Sequence, residues 1–322
     1  MASKPRLLVS RRLMPANEER LAAEFDATII GDSHVMTSDE IVAEAEGKDA
    51  LLICVSERID ADVINRLPDS VQAIMTLSIG LEHIDLDAAK ARGIAVMATP
   101  DAVTDPTVEI AMYLLLGAAR RTTEAVIAMR EGGWGAWTPR FMVGTDVTGG
   151  MLGIFGMGRI GRTLAKRARA FDMKINYHNR TRLGFEEEAG ASYYTTAEGL
   201  LEVSPFLAIT APSTPETRQF LNAERISQLP DGAIVVNVSR GDLVDDDALI
   251  EALKSGKVAA AGLDVFNGEP YSFRREYLEL PNVCVTPHIG SAAVKARAAM
   301  GDMLLDGLLK LRAGEPVPNR VV

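Results

Sequence analysis

Two features of the 322-residue sequence carry chemistry. The first is Gly156-Met157-Gly158-Arg159-Ile160-Gly161, which follows the apolar run Met151 to Phe155 and precedes a helical pattern with Ile160, Leu164, Ala168 and Phe171 on one face. Glycines at this spacing permit a tight turn, close approach of backbone to a pyrophosphate, and helix-on-strand packing, while the helix N-terminus offers N–H groups to the phosphates. The second is a set of three ionisable residues, each just past a β-branched run: Arg240, Glu269 and His288. In an open parallel sheet the carboxyl ends of the strands share one edge, so the three side chains and the glycine turn are expected to converge on one crevice. Beside a nicotinamide these groups suit the reduction of a 2-oxo acid. Arg240 supplies a planar fork for the carboxylate, His288 an imidazole that protonates the nascent alkoxide, and Glu269 a carboxylate that orients that imidazole and keeps it charged.

The cofactor follows from the end of the next apolar run. A unit that binds NAD shows an acid about twenty residues after the glycines, to hold the ribose 2′-hydroxyl. Here the chain reads His178-Asn179-Arg180-Thr181-Arg182, without a carboxylate. Asn179, Arg180 and Arg182 are set to pair with a 2′-phosphate, which points to NADP(H) with NAD(H) also accommodated; the alternative is a solvated basic turn over a permissive site. His34, His83 and His178 have no Cys or His partner at metal-ligand spacing, so no metal site is expected. GxSxG is absent.

The elements that must position these groups are short and alternate. Runs Leu7 to Ser10, Ala27 to Ile30, Ala50 to Val55, Ala73 to Ser78 and Ile94 to Ala98 read as strands with helices between them. Thr104-Asp105-Pro106 then reads as a cap followed by Pro at the first helical position, opening an apolar helix expected to be buried between domains or subunits. A second series runs Met151 to Phe155, Lys174 to His178, Phe206 to Thr210, Ala233 to Val238, Ala259 to Val265 and Val283 to Thr286. Met300, Met303, Leu304, Leu308 and Leu311 place a long amphipathic helix before Gly314. The expected fold is α/β with two doubly wound parallel sheets. A Rossmann coenzyme domain, residues 100–287, is inserted in a flavodoxin-like substrate domain, residues 1–99 and 288–322.

Composition bounds the rest. At roughly 150 residues per domain the length fits two domains. With Lys plus Arg 34 and Asp plus Glu 44 the net charge is −10, with no basic block, so nucleic acid is not an expected partner. No apolar run is long enough to span a bilayer, and the N-terminus lacks a signal-peptide core. Cys54 and Cys284 read as core thiols of a cytoplasmic protein.

Six segments together resemble the D-isomer-specific 2-hydroxyacid dehydrogenases, and within them the glyoxylate/hydroxypyruvate reductases: LSIGLEHID from Leu77, TPDAVTDPTVEIAMYLLL from Thr99, LGIFGMGRIGRTLAKRA from Leu152, VNVSRGDLVDDDAL from Val236, LDVFNGEP from Leu263 and TPHIGSA from Thr286. The resemblance implies a cleft between the two domains, a homodimer, and catalytic roles for Arg240, Glu269 and His288. It further implies a substrate-carboxylate loop at Ser78, Ile79 and Gly80, cofactor contacts at Thr104, Pro212 and Val238, and Asp264 holding the nicotinamide carboxamide. In similar reductases a Trp after the buried helix reaches the partner's pocket, a place for Trp134 or Trp137, whose alternative is an anchor in the dimer interface. The sequence departs from the family's usual pattern at HNRTR and at PYSFRREYLELPNV after Glu269. The rival readings are a dehydrogenase for another D-2-hydroxy acid, such as phosphoglycerate or a branched-chain acid, and a nucleotide-sensing regulator without turnover.

Overall fold

The computed structural model describes residues 3–322 and divides the chain into two units, one of residues up to Val103 with Ser291–Val322, the other Thr104–Gly290. The sequence reading set these divisions at 99/100 and 287/288. At the second one the structure differs for a visible reason: the N–H groups of His288, Ile289 and Gly290 all bond to Asp264, which ties them to the second unit.

In the first unit, strands β1 (Arg6–Val9), β2 (Asp26–Ile29), β3 (Ala50–Ile53), β4 (Ala73–Thr76) and β5 (Ala95–Met97) form an all-parallel sheet in the order β2-β1-β3-β4-β5. Near-continuous apolar runs suit strands covered on both faces. Leu8, Leu51, Ile53, Ile74 and Val96 pack into one core layer, and Leu7, Val9, Leu52, Met75 and Met97 into the other. The Val294–Ala313 helix closes that second layer with Leu304, Leu305 and Leu308, and ends where Gly314 adopts a left-handed φ of 71°.

In the second unit, β6 (Met151–Phe155), β7 (Lys174–His178), β8 (Ser192–Tyr193), β9 (Phe206–Ile209), β10 (Ala233–Asn237), β11 (Val258–Leu263) and β12 (Val283–Val285) form a parallel sheet in the order β12-β11-β10-β9-β6-β7-β8. The order reverses between β6 and β9, the switch point that opens a crevice at the carboxyl ends. Both units are therefore doubly wound α/β sheets.

Two expectations are corrected, at Pro106 and Cys54. The apolar helix spans Thr104–Ala119, and its Val108, Ala111, Leu114 and Leu115 pack with Ile234, Val236, Ala260 and Cys284 in the second unit. Pro106 is its third residue, tolerated because first-turn N–H groups have no intrahelical acceptor. Cys54 lies past the end of β3 and is only partly buried, since its N–H bonds to the Glu57 carboxylate at 3.0 Å instead of continuing the ladder. Among the described residues no helix is long and apolar enough to cross a membrane.

Candidate active site

The glycine turn connects β6 to the Arg159–Ala168 helix. Gly156 has a φ of +99°, and a Cβ there would sit 2.3 Å from Ala211 N, so only glycine fits the crossing of the turn over the chain after β9. A Cβ on Gly161 would sit 2.5 Å from Gly156 O, whereas one on Gly158 would meet nothing within 4 Å. The turn is thus closed on its protein side and open on the other, and the N–H groups of Ile160 and Gly161 have no acceptor among the described residues. These features fit the pyrophosphate of a dinucleotide. Asn179 buttresses the turn, its side-chain oxygen accepting from Met157 N at 2.6 Å.

The basic segment after β7 separates into two kinds of arginine. Arg182 donates to the buried Glu188 carboxylate from Nε (2.7 Å) and Nη2 (3.1 Å), and Tyr177 donates to the same carboxylate at 2.7 Å. Together they hold the Glu188 carboxyl below its ordinary range, the Arg182 hydrogen bond being the largest cause. Arg180 and Thr181 are exposed, and Arg180 has no hydrogen-bond partner among the described residues. Glu188 escapes a reading of the sequence, because in FEEEAG it looks like one more solvated acid.

Arg240, Glu269 and His288 follow β10, β11 and β12, three neighbouring strands, so the shared sheet edge does collect them. His288 Nδ1 is hydrogen-bonded to Glu269 Oε1. The second Glu269 oxygen accepts from Phe266 N at 2.8 Å, which sets the carboxylate against its own turn. Gly241 brings the Arg240 turn onto that segment: a Cβ at Gly241 would lie 2.0 Å from Phe266 C. Arg240 is oriented by its Nη1, which donates to Ser239 O at 2.8 Å, and by its carbonyl, which accepts from Asn237 Nδ2 at 2.8 Å.

His288 occupies a left-handed backbone conformation, φ 51°, which costs a β-carbon residue energy unless its surroundings impose it. Asp264 imposes it. Its carbonyl accepts from His288 N at 2.8 Å, and its carboxylate accepts from Thr286 Oγ1 (2.6 Å), Ile289 N (2.8 Å) and Gly290 N (2.9 Å). Burial pushes the Asp264 carboxyl above its ordinary range, and the three donors oppose that shift. Thr286 was not singled out from the sequence. Asp264→Asn places an NH₂ against one of these donors, so it is expected to lower stability by about 1–3 kcal/mol and to reduce turnover more than cofactor affinity, as read by thermal unfolding, kcat and cofactor Kd. A variant with normal kcat would free His288 from this clamp.

The remaining predicted positions are scattered through their units. Thr104 opens its helix, Val238 is buried just past β10, and the Pro212 carbonyl accepts from Thr217 Oγ1 at 2.7 Å. Ser78, Ile79 and Gly80 form the turn after β4 of the first unit, and their N–H groups have no acceptor among the described residues.

The NAD-binding domain model of the D-isomer-specific 2-hydroxyacid dehydrogenases matches residues 112–290. The chain belongs to that family. It is 46% identical to a glycerate dehydrogenase of Hyphomicrobium methylovorum over 306 residues, covering 94% of this chain and 95% of the relative. It is 38% identical to a glyoxylate reductase of Pyrococcus horikoshii over 322 residues, covering 99% and 96%. Among solved structures it is similar to an NADPH-dependent glyoxylate/hydroxypyruvate reductase from Sinorhizobium meliloti in complex with NADP and malonate, with a TM-score of 0.86, 31% identity and coverage of 99% and 97%. As a member of the D-2-hydroxyacid dehydrogenase family, this protein is an NAD(P)-dependent oxidoreductase acting on small hydroxy and oxo acids.

Proposed function

We propose that this protein reduces a small 2-oxo acid, glyoxylate or hydroxypyruvate, to the 2-hydroxy acid with NADPH as the preferred donor. The observation that carries the reading is the His288–Glu269 pair standing one strand away from the Arg240 turn. A dinucleotide whose pyrophosphate is held at the glycine turn would supply the hydride from its nicotinamide. Arg240 holds the substrate carboxylate and polarises the neighbouring carbonyl. Glu269 holds His288 through Nδ1, so that Nε2 delivers the proton to the oxygen as charge develops there. In the first unit, the three free N–H groups at Ser78–Gly80 form a second seat for a carboxylate. Trp134 and Trp137 are 61% and 80% exposed, large apolar surface suited to a second copy of the chain, which supports a homodimer.

A panel of glyoxylate, hydroxypyruvate, pyruvate and branched-chain 2-oxo acids against NADPH and NADH tests this reading. Absence of turnover with glyoxylate and hydroxypyruvate would overturn this reading and point to another 2-hydroxy acid as the substrate.

The cofactor preference rests on Arg180. Arg182 is already committed to Glu188, whereas Arg180 stands exposed beside the Asn179 buttress. Both cofactors share the pyrophosphate seat, so only a 2′-phosphate contact can separate them. Arg180→Ala is expected to cost about 1.5–3 kcal/mol of NADPH binding, the worth of a hydrogen bond to a charged group, and to leave NADH binding within about twofold. Equal wild-type kcat/KM for the two cofactors, or equal losses in the variant, would overturn the preference.

A further inference from the structure

Behind the Ser78–Gly80 turn lies a chain of side-chain hydrogen bonds whose direction is fixed. Ser78 Oγ donates to Gly80 O at 2.7 Å, because a carbonyl has no proton to give. A hydroxyl carries one proton, so Ser78 Oγ must accept from Thr76 Oγ1, 2.9 Å away. Thr76 has then spent its own proton, and its oxygen must accept from His83 Nε2, also at 2.9 Å. His83 therefore carries a proton on Nε2. That proton is present both in the imidazolium and in one neutral tautomer, so the donor role does not depend on charge.

The chain is built into the core of the first unit. Thr76 is fully buried and Ser78 is 7% exposed, so no water competes at either hydroxyl. His83 is fixed by its backbone, since its carbonyl accepts from Ile59 N at 2.7 Å and Ile84 pairs with Ile59 as an isolated bridge. On the far side of the turn, Thr99 donates to Ser78 O through both N (2.9 Å) and Oγ1 (3.1 Å). The carbonyls of Ser78 and Gly80 are thus both drawn onto protein donors, while the N–H groups of Ser78, Ile79 and Gly80 are left without acceptors among the described residues. An anion seat needs this division, because a peptide free to rotate would bring a carbonyl oxygen against the carboxylate.

We propose that His83 is a positioning residue for substrate binding: its Nε2–H heads the ordered chain through Thr76 and Ser78 that fixes the Gly80–Leu81 peptide and keeps the three N–H groups available to the carboxylate of the 2-oxo acid. This rests on the reading of Ser78–Gly80 as a carboxylate seat.

The test uses the full-length protein with NADPH and compares wild type with His83→Leu and His83→Gln. Gln can place an N–H near the former Nε2, and Leu cannot. For Leu, KM for glyoxylate and Ki for oxamate, a non-reducible isostere, are expected to rise together by about 10-fold, with kcat within about twofold and NADPH Kd unchanged. Gln is expected to restore both constants to within about twofold of wild type. Thr76→Val breaks the chain at its next link with little change of shape and is expected to reproduce the Leu pattern, which keeps the question open to experiment if His83→Leu does not fold. Unchanged KM and Ki in the Leu and Val variants, a Gln variant as impaired as Leu, or kcat and NADPH binding falling along with KM would each overturn the proposal. A wild type that binds oxamate in calorimetry but turns over no 2-oxo acid would count against the proposed reaction, and the same variants would still report on the seat through oxamate Kd.

Discussion

Replacing His288 with alanine is expected to lower kcat for glyoxylate or hydroxypyruvate by roughly 10²–10⁴-fold, the contribution of a positioned general acid, with NADPH Kd nearly unchanged. Adding hydride to a carbonyl carbon places negative charge on the oxygen, and that charge must be met by a proton at the moment it forms. Only an acid whose ring is already aimed can meet it. His288 is held at both ends, at its backbone by Asp264 and at Nδ1 by Glu269, which leaves Nε2 without a hydrogen bond among the described residues. Glu269→Gln keeps an oxygen that can accept from Nδ1 but replaces a charged acceptor with a weaker neutral one, so the ring is held less firmly and the loss should fall between wild type and His288→Ala. Near-normal turnover in a folded His288→Ala protein would assign the proton to another group.

The sequence made some parts of this arrangement legible and hid others for identifiable reasons. Strands β6 and β7 coincide with their expected limits, because Gly150 and Gly156 bracket the first and Asn179 follows the second. β8 went unseen: it is a two-residue edge strand, too short for any period. Strand ends were overextended at Val55 and Ser78, where apolar or β-favouring residues continue past the last ladder bond into turns. Among the site residues, Arg240, Glu269 and His288 could be grouped because parallel strands share a carboxyl edge, a rule that needs only topology. Arg182 could not be told from Arg180 in that way. What separates them is Glu188, six residues further on and folded back under Tyr177, a tertiary fact with no periodic signal. The direction of the Thr76, Ser78 and His83 hydrogen bonds is likewise a matter of proton counting, which begins only when distances are known.

The other large effect is expected at Arg240, where shape and charge are separable. Arg240→Lys keeps the charge but replaces a planar fork with a single ammonium, so one of two parallel bonds to the substrate carboxylate is lost. A charge-assisted bond is worth about 1.5–3 kcal/mol, which places the loss in kcat/KM at roughly 10- to 150-fold for Lys. Arg240→Gln loses the charge as well, and roughly 10²–10⁴-fold is expected if two such bonds fail. The division between KM and kcat tells which interaction was removed. A fork that only gripped the carboxylate would raise KM alone, because that charge is the same before and during reaction. A fork that also lies against the carbonyl oxygen meets charge that grows as hydride arrives, and its loss must lower kcat. Arg240 is held by Ser239 O and Asn237 in a turn jammed by Gly241 against Phe266, three residues from Glu269, and so cannot recede from the reacting centre without moving the acid's partner. Both constants are therefore expected to change in each variant, with NADPH Kd constant; a change confined to cofactor affinity would place Arg240 on the nucleotide instead.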